Sequence, residues 1–213
     1  MPSIYQLKPA FQNLLRPLVK FLHTRGITAN QVTVIAMMIS LLLACVLFYI
    51  YRQDAHHYIG FLLIPLWMLI RMAFNAIDGM LAREFHQQTQ LGAYLNELCD
   101  VISDTALYGC FIVISFISTP LLLLVIFLAI LSEYTGVMAP LIGQTRRYDG
   151  PMGKSDRAFW FSVLAIWSVL ASYLNSIVSY QTISYITNGF LSIITILLFI
   201  TIYNRIKNAI AVT

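Results

Sequence analysis

Five of the nine acidic residues, Asp78, Glu97, Asp100, Asp104 and Glu133, fall inside stretches that are otherwise apolar. A charge at the centre of a bilayer costs about 2.5–3.5 kcal/mol even on lenient insertion scales, so such residues either do chemistry or sit where a span meets water. Their spacing is ordered. Asn75, Asp78 and Ala82 are three and four apart and share one helix face, with Arg83 directly after them. Gly92, Asn96, Asp100 and Asp104 step by four on a second face, with Glu97 on its flank. Two carboxylates (Asp78, Asp100) and two amide oxygens (Asn75, Asn96) suit a hard divalent cation, Mg²⁺ or Mn²⁺. Gly79 and Gly92 remove side chains where a ligand would approach the backbone. Arg83 offers a planar fork for phosphate. Together these describe a pyrophosphate site. The same spacing also describes a polar helix–helix interface of satisfied amides and paired acids.

The elements that must carry these residues follow from composition. Of 213 residues, 59% are hydrophobic and 10% charged, where a soluble domain carries about a quarter charged. The apolar residues gather into runs near the roughly 20 residues that span a hydrocarbon core, and such runs are helices because lipid offers backbone groups no partner. Six spans are expected, at Asn30–Tyr51, Tyr58–Arg83, Gly92–Ser115, Pro120–Gly143, Asp156–Asn175 and Ser184–Asn204. The eight residues Glu84–Leu91 make the second and third spans antiparallel neighbours, so their polar faces can meet. Eleven of the thirteen basic residues lie before the first span, at the end of the second, around the fourth-to-fifth connection or after the sixth. That bias places both termini in the cytoplasm. It also accounts for the net charge of +4 without a nucleic-acid partner.

Before the first span, Ile4, Leu7, Phe11, Leu14, Leu15, Leu18 and Leu22 recur at helical spacing among Gln6, Gln12, Asn13, Arg16 and Lys20. This predicts an interfacial amphipathic helix over 1–24, kinked or broken by Pro9 and Pro17; an ordinary juxtamembrane linker is the plainer alternative. The first apolar run begins near Val32 with no short hydrophobic stretch and cleavage site before it, so no signal peptide is expected. Cys45, Cys99 and Cys110 are expected to pack as free thiols. His23, His56, His57 and His86 lack ligand spacing and read as interfacial. The expectation is an all-α integral membrane protein of one domain, 1–213, with the six-helix bundle over 30–204.

Asn75-Ala-Ile-Asp78-Gly79-Met-Leu-Ala82-Arg83, eight residues, then Gly92-Ala-Tyr-Leu-Asn96-Glu-Leu-Cys-Asp100 resembles the signature of the CDP-alcohol phosphotransferases, D-x2-D-G-x2-A-R-x8-G-x3-D-x3-D. Six of its eight fixed positions match with the correct gap. Thr28-Ala-Asn30-Gln-Val-Thr33 is similar to the family's Pro-Asn-x-x-Thr segment, and Asp100-Val-Ile-Ser-Asp104 looks like the continuation in phosphatidylserine-synthase-type members. The resemblance implies a bacterial inner-membrane enzyme of phospholipid synthesis that moves a phosphatidyl or substituted phosphoryl group from a CDP-linked lipid to an alcohol and releases CMP. It implies metal on Asn75, Asp78, Asn96 and Asp100. Donor contacts would come from Asn30, Thr33, Asp78, Gly79, Ala82, Arg83 and Gly92, with Asp100 as general base. Dimers are common in the family, so a homodimer and surrounding membrane lipids are the implied partners.

Two positions depart from the pattern. Asn75 and Asn96 stand where the family has its first and third aspartates, which marks a variant branch and predicts weaker metal binding by a site short of two charges. Glu97, Asp104 and Glu133 are the carboxylates that could compensate. Gly153-Lys154-Ser155-Asp156-Arg157, with Arg146 and Arg147 nearby, matches a region where several family members hold phosphorylated acceptors. Arg146, Lys154 and Arg157 are therefore acceptor candidates, or basic loop residues obeying the charge bias. A relative that binds CDP-lipid or nucleotide without turnover is the alternative activity. A small transporter is disfavoured by the absence of an inverted repeat.

Overall fold

The computed structural model describes the backbone of residues 4–53 and 57–211 and the side chains of 10–53 and 57–211. The side chains of Ile4, Gln6, Leu7 and Lys8, and all of His56, lie outside the described residues. Among those described, the chain forms α1 (Ile4–Thr24), α2 (Ala29–Tyr51), α3 (Leu63–Glu84), α4 (Gln90–Gly109), α5 (Thr119–Met138), α6 (Lys154–Leu174) and α7 (Tyr180–Ile210). Short 3₁₀ turns at Ile59–Leu62, Cys110–Val113 and Ala139–Ile142 adjoin α3, α4 and α5. Five helical stretches are long and apolar enough to cross a membrane: Ala29–Tyr51, Ile59–Glu84, Thr119–Ile142, Lys154–Leu174 and Tyr180–Ile210. The protein is thus all-α and membrane-spanning. The expected Gly92–Ser115 span corresponds to α4, whose Glu97, Asp100 and Asp104 keep it below that apolarity. The last span is longer than expected because Ser179 caps it early, accepting from the Thr182 amide at 3.2 Å, and no breaker follows Asn204.

The chain divides into two compact units. The first comprises the residues up to Leu42 with Leu66–Asp104, and the second Leu43–Pro65 with the chain from Thr105 onward. In the first, Val19, Ala29, Val32, Ile77, Met80 and Leu81 form a core against which Leu15, Leu22 and Ile27 pack. So α1 spends part of its apolar surface on protein. Phe11, Leu14, Leu18 and Phe21 stay exposed as an outward stripe. Neither Pro9 nor Pro17 breaks α1, because packing of Leu15, Val19 and Leu22 outweighs one lost backbone hydrogen bond per proline. Gly26 closes α1 in the left-handed conformation (φ 74°), with the Ile27 amide on Leu22 O at 3.0 Å. His86 (φ 54°) performs the same service for α3, with the Gln87 amide on Ala82 O at 3.1 Å.

In the second unit α5 packs most extensively on α7, and Tyr108 stacks on Phe161 at 3.7 Å between ring centroids. The three cysteines are free, Cys99 and Cys110 buried and Cys45 exposed. His23 stacks on Phe85 and His57 on Tyr173, which gives both rings packing roles.

Candidate active site

The first unit holds a cavity of about 350 Å³ lined by Ala29, Asn30, Thr33, Asp78, Gly79, Ala82, Arg83, Gln87, Gln88, Thr89, Gly92, Ala93 and Asn96. Two helix N-termini open onto it. α2 begins with a reciprocal cap: the Gln31 amide donates to Thr28 Oγ1 at 3.3 Å and the Thr28 amide to Gln31 Oε1 at 2.9 Å. α4 is capped by Thr89, whose Oγ1 accepts from the Gly92 amide at 2.8 Å. Helix N-termini favour anions through their unpaired amides and dipoles. Gln87 ties the connection to α2, its Oε1 accepting from the Ala29 amide at 2.8 Å.

On α3, Asp78 is buried and accepts from Thr33 Oγ1 at 2.7 Å, so α2 orients the carboxylate that α3 supplies. The Arg83 guanidinium lies over Gly79, where an added Cβ would meet its nitrogens at 3.0 and 3.3 Å. Arg83 is exposed and makes no ion pair with a described residue, since the neighbouring Glu84 is taken by Arg16 at 3.0 Å. A Cβ at Gly92 would come within 2.7 Å of Asn30 Oδ1, so glycine there keeps the cavity open.

Of the expected donor residues, all seven, Asn30, Thr33, Asp78, Gly79, Ala82, Arg83 and Gly92, line this one cavity, and Asn96 joins them. Asn75 and Asp100 do not line it. Asn75 is half-buried. Asp100 is held by Arg71, its Oδ1 at 3.0 Å from Nη2 and its carbonyl at 3.2 Å. The same guanidinium pairs with Asp104, which removes Asp104 as an uncommitted substitute ligand. Arg71 on α3, Thr89 at the α4 cap and the Gln87–Gln88 segment were not singled out by sequence. For Arg71 the signal was there, a lone Arg inside an apolar run.

The donor chemistry fits one hard divalent ion. Mg²⁺ needs only one or two carboxylates and completes its shell with water and phosphate oxygens, and of the four expected positions Asp78 and the Asn96 amide line the cavity and supply that minimum. Among the described residues no three of His, Cys, Asp and Glu gather as a metal group, in keeping with amides at two of the four positions.

In the second unit Glu133 is a hub. Arg146 and Arg157 each reach it at 3.0 Å and Arg205 at 3.4 Å. Arg205 also bonds Ser132 O, and Arg157 bonds Ser132 Oγ at 3.2 Å. Arg157 and Arg205 are 1% exposed, far from the solvated loop residues that the charge bias alone would give. Three guanidiniums thus engage Glu133, one of the carboxylates expected to compensate at the metal site. Lys154 opens α6, half-buried. Arg205 counted in the sequence only as a topology charge. Asp149 anchors the preceding connection: Arg147 reaches it at 2.8 Å and Asn208 at 3.0 Å. Burial pushes its carboxyl up, but the Asn208 hydrogen bond and the Arg147 guanidinium hold it below its ordinary value overall.

Comparison with known proteins shows the family of the chain. Over residues 26–211 the sequence matches the CDP-alcohol phosphatidyltransferase family. The inner membrane protein YnbA of Escherichia coli is 42% identical over 206 residues, 97% of this chain and 96% of its own. A phosphatidylinositol phosphate synthase of Mycobacterium marinum is 32% identical over 102 residues, 48% of this chain and 40% of its own. The phosphatidylinositol phosphate synthase of Mycobacterium tuberculosis, solved with CDP-DAG bound, superposes with a TM-score of 0.69 at 20% identity, over 91% of this chain and 92% of that one. Its complex with manganese and citrate gives 0.67 at 20% identity, over 91% and 87%. At such identity these structures speak for the fold, while the family match covers most of the chain: it belongs to the CDP-alcohol phosphatidyltransferase family and is a membrane transferase of that class.

Proposed function

We propose that the chain transfers the phosphatidyl group of a CDP-linked lipid, CDP-diacylglycerol first among candidates, to an alcohol and releases CMP. The observation that carries this is the cavity of α2, α3 and α4. In it two helix N-termini, the glycines and an Arg83 with no ion-pair partner among the described residues surround Asp78. The positive ends of the α2 and α4 dipoles and Arg83 attract the pyrophosphate; Asn30 and Thr89 border it. The alcohol oxygen bonds to the lipid-bearing phosphorus, the bond from that phosphorus to CMP breaks, and Asp100 accepts the hydroxyl proton. A Mg²⁺ or Mn²⁺ ion would be held by Asp78 and Asp100 with the Asn75 and Asn96 oxygens, and when bound would neutralise charge on the phosphates.

The acceptor we favour carries a phosphate of its own. Arg146, Arg157 and Arg205 meet around Glu133, and guanidiniums match phosphate geometry. Lys154, at the start of α6, would be a further contact. The test is CMP release by purified protein in lipid nanodiscs, with CDP-diacylglycerol, Mg²⁺ or Mn²⁺, and alcohols offered with and without a phosphate. Release that depends on acceptor and is fastest with phosphorylated alcohols is expected. Tight CDP-lipid binding with no CMP under any acceptor would make the chain a binding relative instead.

A further inference from the structure

Arg71 does not line the donor cavity, yet it is buried at 4% exposure within an apolar helix. A buried guanidinium is costly unless its charge is matched. Here it is matched twice, by Asp100 at 3.0 Å and by Asp104, and it also donates to the Asp100 carbonyl at 3.2 Å. It stands one turn before Asn75 on α3, and its partners are on α4, so it crosses between the two helices that carry the four signature positions. Two of those positions have lost a carboxylate. A site with four carboxylates has the charge of two divalent ions. Asp78, Asp100 and Asp104 with Arg71 carry a formal −2, the charge of one.

We infer that Arg71 is a resident counter-cation which shares Asp100 with the ion, takes up Asp104 and limits the site to a single divalent ion centred on Asp78. This rests on the metal-assisted reading above and deepens it. The two Asn replacements and the buried Arg then belong to one change, in which a fixed charge of the protein stands where a second exchangeable ion would.

The test is Mn²⁺ binding to the full chain in nanodiscs, read from the loss of the free-ion paramagnetic signal and independent of turnover. The parent should bind one Mn²⁺. Arg71→Gln releases Asp100 from the guanidinium and removes a positive charge from the helix that carries Asp78, which should tighten binding about tenfold or more. Arg71→Gln with Asp104→Asn releases Asp100 equally and leaves no unmatched deep carboxylate, which guards against misfolding. Arg71→Lys should keep the parent stoichiometry. A parent that binds two ions or none overturns the inference. So does a folded variant without Arg71, judged by helix content and elution, that binds Mn²⁺ no more tightly than the parent. If the parent binds one ion but releases no CMP, the transferase reading falls and the counter-cation stands. If it releases CMP with two ions bound, the transferase reading stands and the counter-cation falls.

Discussion

Asp100 and Asp104 lie one turn apart on α4, about 6 Å along its axis, and share one guanidinium. Asp100 matches the last signature aspartate, and its side chain is 21% exposed against 10% for Asp104. A base must reach a hydroxyl, so the more accessible carboxylate is the one that can. Asp100→Asn is expected to nearly abolish CMP release while CDP-lipid binding persists, because a base acts on the acceptor and not on the donor. Asp104→Asn should cost far less. Measuring both quantities for both variants decides it; a dead Asp104→Asn beside an active Asp100→Asn would move the chemistry one turn deeper. Gly92→Ala makes a second residue-scale test. Its Cβ would press on Asn30 Oδ1, and CDP-lipid affinity should fall by about tenfold, roughly 1.4 kcal/mol, with helix content unchanged. Unaltered affinity would put the nucleotide elsewhere. The stripe Asn75–Asp78–Ala82 and Gly92–Asn96–Asp100 was legible because polar residues in apolar runs carry their own signal. That Arg71 claims Asp100 was not, because a one-dimensional pattern says which residues share a face but not which facing side chain each meets.

At the scale of elements, the connection between α5 and α6 is anchored at both ends. The Arg147 amide bonds Gly136 O at 3.1 Å and the Met152 amide bonds Thr201 Oγ1 at 2.9 Å. Gly150 at φ 116° sits against Thr201, where an added Cβ would fall 2.6 Å from its Cα. Asp149 holds the middle, and its carboxyl is lower in the folded state than unfolded. Its stabilising contribution is therefore complete above the unfolded value of about 3.9 and fades as pH falls through that value toward the folded one. Protection of the amides over 144–153, taken relative to their intrinsic exchange rates, should fall as pH is lowered through that window. Asp149→Asn should exchange faster at neutral pH and lose the dependence. A parent whose exchange protection does not change across the window would remove Asp149 as the anchor. Sequence pattern found these helices but misjudged their ends. α1 runs through two prolines because its buried face holds it, and α7 continues past Asn204 to Ile210 because charged side chains do not stop a helix.

At the scale of the whole molecule, the choice between five spans and six is one of parity. If only the five apolar stretches cross, α5 starts on the cytoplasmic side and delivers Arg146, Arg147, Lys154 and Arg157 to the opposite face; Arg205 and Lys207 follow. That reverses the positive-inside rule for six basic residues. If α4 also crosses, every one of them returns to the cytoplasm with both termini. The obstacle is its acids, and Arg71 offsets part of that cost by matching charge with Asp100 and Asp104 across α3 and α4. Its 20 residues span about 30 Å, enough for the hydrocarbon core. The expectation is that α4 crosses. Tyr148 is exposed in the α5–α6 connection and, unlike Gly150, has no positive φ to strain a substitution. Tyr148→Cys, with Cys45, Cys99 and Cys110 replaced by Ala, should resist a membrane-impermeant thiol reagent in intact cells and react once the membrane is opened. Reaction in intact cells would leave α4 on one side of the bilayer and put Arg146, Arg147, Lys154 and Arg157 on the outer face.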